Sequence, residues 1–160
     1  MSCVKNPTVT VEADSEESYI RMLVTPDNME ALAKAFPDFV AEDGVFLLQN
    51  LVKGWDPAIW VFEGFDEGVY EFRYHETVST VNGSAKPLEP LFTDVVVPGT
   101  VDNAHLAELE GIKINVVAHA IQAAGFADAD AAWEAFDDQY HAEPEEQETT
   151  APTGDGDMFE

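Results

Sequence analysis

AIWVFEGFDEGVYEFRYHETVST, residues 58–80, reads as two runs of strand-forming residues around a glycine-bearing centre. Ala58–Glu63 and Val69–Thr80 are rich in aromatic and β-branched residues, and Gly64-Phe65-Asp66-Glu67-Gly68 between them has the length of a hairpin loop. Side chains alternate across a strand, so Trp60 and Phe62 share one face of the first run, and Tyr70, Phe72 and Tyr74 share one face of the second. Pairing the two runs produces an aromatic ladder. Such a ladder is either the buried floor of a sheet or an exposed platform on which single-stranded nucleic acid stacks its bases. A platform of that kind works beside a basic groove, whereas this segment carries Glu63, Asp66, Glu67, Glu71 and Glu76 against Arg73 alone. Core packing is therefore the expected role.

Working outward, Thr8–Ala13 and Tyr19–Val24 read as two more strands, joined across the acidic turn EADSEES. Thr25 and Pro26 then have the pattern of an N-cap and first helical residue, ahead of Met29, Leu32, Ala33 and Phe36 at helical spacing, with Pro37 as the stop. Asp43–Val52 reads as a buried helix from a capping aspartate to Gly54, and Phe92–Val97 as a further strand ended by Pro98-Gly99. Asp102–Ala124 places Leu106, Leu109, Ile112, Val116, Val117, Ala120 and Ile121 at helical spacing, with Gly111 as a kink or a break between two helices. Asp128–Tyr140 is an amphipathic helix with an apolar stripe of Ala129, Ala132, Trp133, Phe136 and Tyr140. The predicted class is α+β: a small, mainly antiparallel sheet of about four to five strands packed with three to four helices. One globular domain spans 1–141, and 142–160 has the composition of a disordered acidic tail.

The charge is the chain's most unusual property. A formal net charge of −25 comes from 32 acids and 7 bases, and 25 of those acids lie within 1–141 beside all seven bases, so the folded body is itself strongly negative. Hydrophobic residues at 46% still suffice for a core. No base follows Lys113. Self-repulsion on this scale opposes the compact state, and it makes DNA, RNA and anionic membranes poor partners, because phosphate binding depends on Lys and Arg. Cys3 is the only cysteine, which excludes an intramolecular disulfide and a zinc site of several cysteines. The opening MSCVKNPTVTVEAD lacks the apolar run of a signal peptide, and no stretch reaches membrane-spanning length, so the expected location is the cytoplasm.

Motifs for chemistry are missing. The histidines are His75, His105, His119 and His141, and on a common helix His105 and His119 would stand about 21 Å apart, too far to share an ion. Neither HExxH, GxSxG, Walker A nor GxGxxG occurs, and the sequence predicts no enzyme, no metal and no cofactor. What remains is a pattern of acids. Glu63, Asp66, Glu67 and Glu71 cluster on the hairpin, and Asp130, Glu134, Asp137 and Asp138 form a ridge on the last helix without an intervening base. Asp137 and Asp138 stand near a helix C-terminus, where the macrodipole disfavours anions by about 0.3–1 kcal/mol each. The expected function is a non-enzymatic acidic binding protein, an inhibitor or modulator of the nucleic-acid-mimic type often encoded by viruses. It would present these eight carboxylates to a basic surface on a nucleic-acid-processing protein. Met158 and Phe159 near the end of the tail form a candidate docking motif. Two alternatives stand beside this one: a single-stranded DNA-binding or replication accessory protein that docks through its acidic tail, and a halophile protein whose acidity is solvent adaptation alone.

Overall fold

A computed structural model of the protein describes residues 2–4, 6–96 and 112–142. In chain order the strands are β1 (Ser2–Val4), β2 (Thr10–Val11), β3 (Ser18–Pro26), β4 (Val52–Lys53), β5 (Trp60–Asp66), β6 (Val69–Tyr74), β7 (Lys86–Pro87), β8 (Asp94–Val96) and β9 (Ile114–Gln122). The described helices are two, α1 (Met29–Ala35) and α2 (Ala129–Ala142). The main sheet has the order β5-β6-β3-β9, with every neighbour antiparallel. A three-stranded sheet, β1-β8-β4, and the pair β2-β7 complete a mixed α+β architecture. No helix among the described residues is long and apolar enough to cross a membrane.

The aromatic hairpin forms with the predicted facing. Trp60 lies opposite Tyr74 and Phe62 opposite Phe72, with ring centroids 5.0 and 5.4 Å apart. Trp60, Tyr70, Phe72 and Tyr74 are buried, so the ladder is core and offers no surface for stacked bases. The loop is tighter than the sequence suggested. Phe65 and Asp66 belong to β5, and the turn is Asp66–Val69, with positive φ at Glu67 (51°) and Gly68 (85°). A bulge between Phe62 and Gly64 interrupts the ladder, and the Trp55 indole N–H donates to the Trp60 carbonyl at 2.8 Å; both features blunt the outer edge of the sheet.

Alternation along β3 divides the sheet into two faces. Ile20, Met22 and Val24 point with Tyr70, Phe72, Val116 and Ala118 into the main core, where they meet Leu32, Phe36, Phe46, Leu48 and Leu91. Each fully buried side chain of this size contributes about 1.5–3 kcal/mol of transfer free energy. The Tyr70 hydroxyl donates to the Phe46 carbonyl and so satisfies its one polar atom inside that core. The opposite face carries Arg21, Leu23, Glu71, Arg73, Val117 and His119, and α2 lies against it through Ala132 and Trp133.

Several expectations are corrected. Three to four helices are not found among the described residues. Ile114–Gln122, expected to be helical, is instead β9 in register with all nine residues of β3; residues 102–111 of that expected helix lie outside the described residues. INVVAHAIQ carries Val117 and Ile121 on the side away from the core as well as Ile114, Val116 and Ala118 on the core side, and such a run matches helical spacing as well as it matches strand alternation. Asp43 does not cap a helix: its Oδ1 accepts from Val45 N–H at 3.0 Å in a turn that pairs Val40 with Phe46, and only a short 3-10 turn, Leu48–Asn50, follows. Thr25 and Pro26 finish β3, and the N-cap of α1 is Asn28, whose side chain accepts from Ala31 N–H at 3.0 Å. The strands on either side of EADSEES do not pair with one another: β2 pairs with β7, and β3 with β6 and β9. The tail, with Met158 and Phe159, lies outside the described residues.

Candidate functional site

The face of the sheet beneath α2 is organised by Arg21. Strand alternation turns its side chain away from the core, where α2 then covers it, and the residue is only 3% exposed. A buried guanidinium is costly to desolvate unless its donors are used. Here they are used on three sides: Nη2 donates to Asp137 at 2.7 Å, Nη1 to Glu71 at 3.3 Å, and Nε to Nδ1 of His119 at 3.2 Å. The guanidinium carbon also lies 4.3 Å from the centre of the Trp133 ring and 5.3 Å from that of Phe136, which adds cation–π attraction. His119 accepts on Nδ1 and is therefore neutral. Burial, and then the charge of Arg21, lower its pKa to about 4.

Arg73, directly opposite Arg21 on β6, repeats the pattern nearer solvent. Its Nη1 donates to Asp130 at 2.6 Å and its Nε to Glu71 at 2.9 Å, with Glu63 at 4.0 Å. The ridge on α2 therefore finds its bases across space, on strands β3 and β6. Asp137 near the helix C-terminus, where the dipole is unfavourable, is compensated by Arg21. Glu134 and Asp138 remain exposed and form no ion pair among the described residues.

Beside the arginine cluster, the hairpin and α2 enclose a cleft of about 570 Å³. Five of the eight carboxylates singled out in the sequence line it: Glu63, Asp66, Glu67 and Glu71 from the hairpin, and Asp137 from the helix. Leu23, Val69 and Phe136 supply an apolar floor. Asp130, Glu134 and Asp138 are not in its lining. A smaller cleft of about 210 Å³, on the side of Tyr19, Tyr74 and Trp133, shares Glu63 with it. Glu71 and Asp137 are committed to Arg21, whereas Asp66 and Glu67 are exposed and make no ion pair among the described residues. Glu67 holds its carboxylate at the hairpin tip in a left-handed backbone conformation that asparagine or glycine adopts more readily.

Chemically, the cleft is rich in carboxylates over an apolar floor. Its lining among the described residues contains no serine, threonine or cysteine to act as a nucleophile, and Nδ1 of the neutral His119 accepts from the Arg21 guanidinium. No group of three His, Cys, Asp or Glu residues able to hold a metal occurs among the described residues.

Sequence reasoning missed Arg21 and His119. The signal for the first was present, since an arginine interrupts the apolar run YIRMLV and is one of only two in the chain. His119 was obscured by the helical reading of its segment. Searches against protein-family models, curated proteins and solved structures returned no match to this chain.

Proposed function

We propose that this chain is a non-enzymatic, acidic, cytoplasmic binding protein that presents carboxylates to a basic surface of a protein partner, as an inhibitor or modulator of the nucleic-acid-mimic type. The observation that supports this reading is the convergence of hairpin and final helix on one cleft, whose lining holds five carboxylates and one buried arginine, paired with two of them. The fold holds two of those carboxylates in place through Arg21 and leaves Asp66 and Glu67 at the hairpin tip with no ion pair among the described residues. Fixed carboxylates of this kind steer association with a cationic groove and compete with the phosphates that normally occupy it.

The test is capture by the immobilised protein from a lysate of the source organism at about 0.15 M salt, where exposed charges more than about 8 Å apart are screened. The bound protein is then challenged with duplex DNA. A mimic's partner is basic and leaves the column with the DNA; a partner that duplex DNA fails to displace refutes the mimic reading. Solvent adaptation makes a separate prediction, that the fold melts at low salt and recovers in molar salt, whereas a binding protein stays folded in both. The single-stranded DNA reading gains no support from the aromatic ladder, whose rings are inside the core.

A further inference from the structure

The cleft's chemistry specifies more than a positive charge. Resting on the reading of the protein as an acidic binder, we infer that the cleft between the β5-β6 hairpin and α2 is the seat of one arginine side chain from the basic partner. Its stem would lie on Leu23 and Val69, and its guanidinium would sit between Asp66, Glu67 and Glu63.

Three features lead there. The floor is apolar and the rim acidic, which suits a side chain with a hydrocarbon stem and a cationic head. The protein already binds two guanidinium groups on this face in the same manner. Arg21 bridges Glu71 of β6 and Asp137 of α2, and Arg73 bridges Glu71 and Asp130. Planar guanidinium can be shared between carboxylates of different elements and rests on aromatic rings, as Arg21 does on Trp133 and Phe136; ammonium is a strongly hydrated point charge that gains less from such a site. Finally, the exposed acids of the lining have no close base among the described residues. Asp66 and Glu67 make no ion pair among the described residues, and Glu63 reaches Arg73 only at 4.0 Å. The three lie on one hairpin end, at a spacing set by the bulge after Phe62 and by the turn at Glu67-Gly68.

The experiment measures binding of fluorescein-labelled hexa-arginine and hexa-lysine peptides by anisotropy, with the full chain at about 0.15 M salt. Three proteins are compared: the natural chain, the cleft variant Asp66→Asn with Glu67→Asn, and a control, Asp38→Asn with Glu42→Gln, which removes two exposed carboxylates elsewhere. Asparagine suits the positive φ at Glu67, so the cleft variant keeps its fold, and thermal unfolding verifies this. The expected result is tighter binding of hexa-arginine than hexa-lysine, with about a fivefold loss for hexa-arginine in the cleft variant and less than about twofold in the control. Equal losses in the two variants, or equal affinity for the two peptides, overturn the arginine seat while leaving the acidic binder in place. Failure of the natural chain to bind either peptide overturns both.

Discussion

Arg21→Met removes the centre of the cluster beneath α2 while keeping the length of its stem. The Nη2–Asp137 pair involves a carboxylate that is 49% exposed, so its loss costs about 0.5–1 kcal/mol; the Glu71 pair, at 23%, costs about 1 kcal/mol. Cation–π contact 4.3 Å from the Trp133 centroid, in a desolvated setting, contributes about 1–2 kcal/mol. His119 Nδ1 loses its donor, for about 1 kcal/mol. Against these stand the guanidinium's own desolvation, which the variant no longer bears, and sulfur–aromatic contact by methionine of about 0.5 kcal/mol. Fully buried pairs that lose one partner cost about 3–5 kcal/mol; here Asp137 can hydrate and Glu71 keeps Arg73, so we expect about 2–3 kcal/mol. Urea unfolding followed by tryptophan fluorescence should show that loss with an unchanged slope, and a Tm about 5–10 °C lower. Adding Asp137→Leu to Arg21→Met should recover about 0.5 kcal/mol of it, because the half-exposed carboxylate left without its arginine is then gone. A loss below about 0.5 kcal/mol for Arg21→Met, or no recovery in the double variant, would refute the view that Arg21 clamps α2 to the sheet.

Two further outcomes follow from single residues. His119, held near pKa 4 when folded against 6.5 for the free side chain, binds fewer protons folded than unfolded, so its share of stability is complete above pH 6.5 and is lost as pH falls towards 4. That interval corresponds to about 3 kcal/mol, reduced to about 2 by partial solvation. His119→Asn, which retains an acceptor for Arg21, should flatten the stability profile between pH 6.5 and 4, and an unaltered profile in urea titrations would rule the assignment out. Gly54→Ala meets both a φ of 87° and a Cβ position 2.6 Å from Thr93 Oγ1, whereas Gly44→Ala meets a φ of 88° in open space. The first should cost about 2 kcal/mol or more and the second about 1 kcal/mol, compared by Tm; equal costs would show that the Thr93 contact relaxes freely.

What could be read in the sequence was what neighbouring residues determine. The aromatic hairpin was legible because alternation and a glycine-bearing turn lie within one short segment, and Asp128–Tyr140 because a single apolar stripe faces a single layer, with Asp128 accepting from Ala131 N–H at its start. β9 was not legible, since Val117 and Ile121 on its outer side break the apolar–polar alternation that identifies a strand, although Val117 is exposed; its identity comes from pairing with β3, some ninety residues earlier. The candidate site divides along the same line. Its acids were recognisable as acids, but the ridge of Asp130 and Asp137 looked unopposed only because its bases, Arg73 and Arg21, approach from other strands. Once those pairs are drawn, the excess charge changes meaning: carboxylates matched by an arginine are accounted for by folding, and the unmatched ones at the hairpin tip are where a need beyond folding must be sought. Glu67 makes the point most directly, because asparagine there would relieve the backbone and a carboxylate does not. A stability measurement on Glu67→Asn that found no gain would remove that strain from the argument, and with it the reason for setting Glu67 apart from the other acids of this surface.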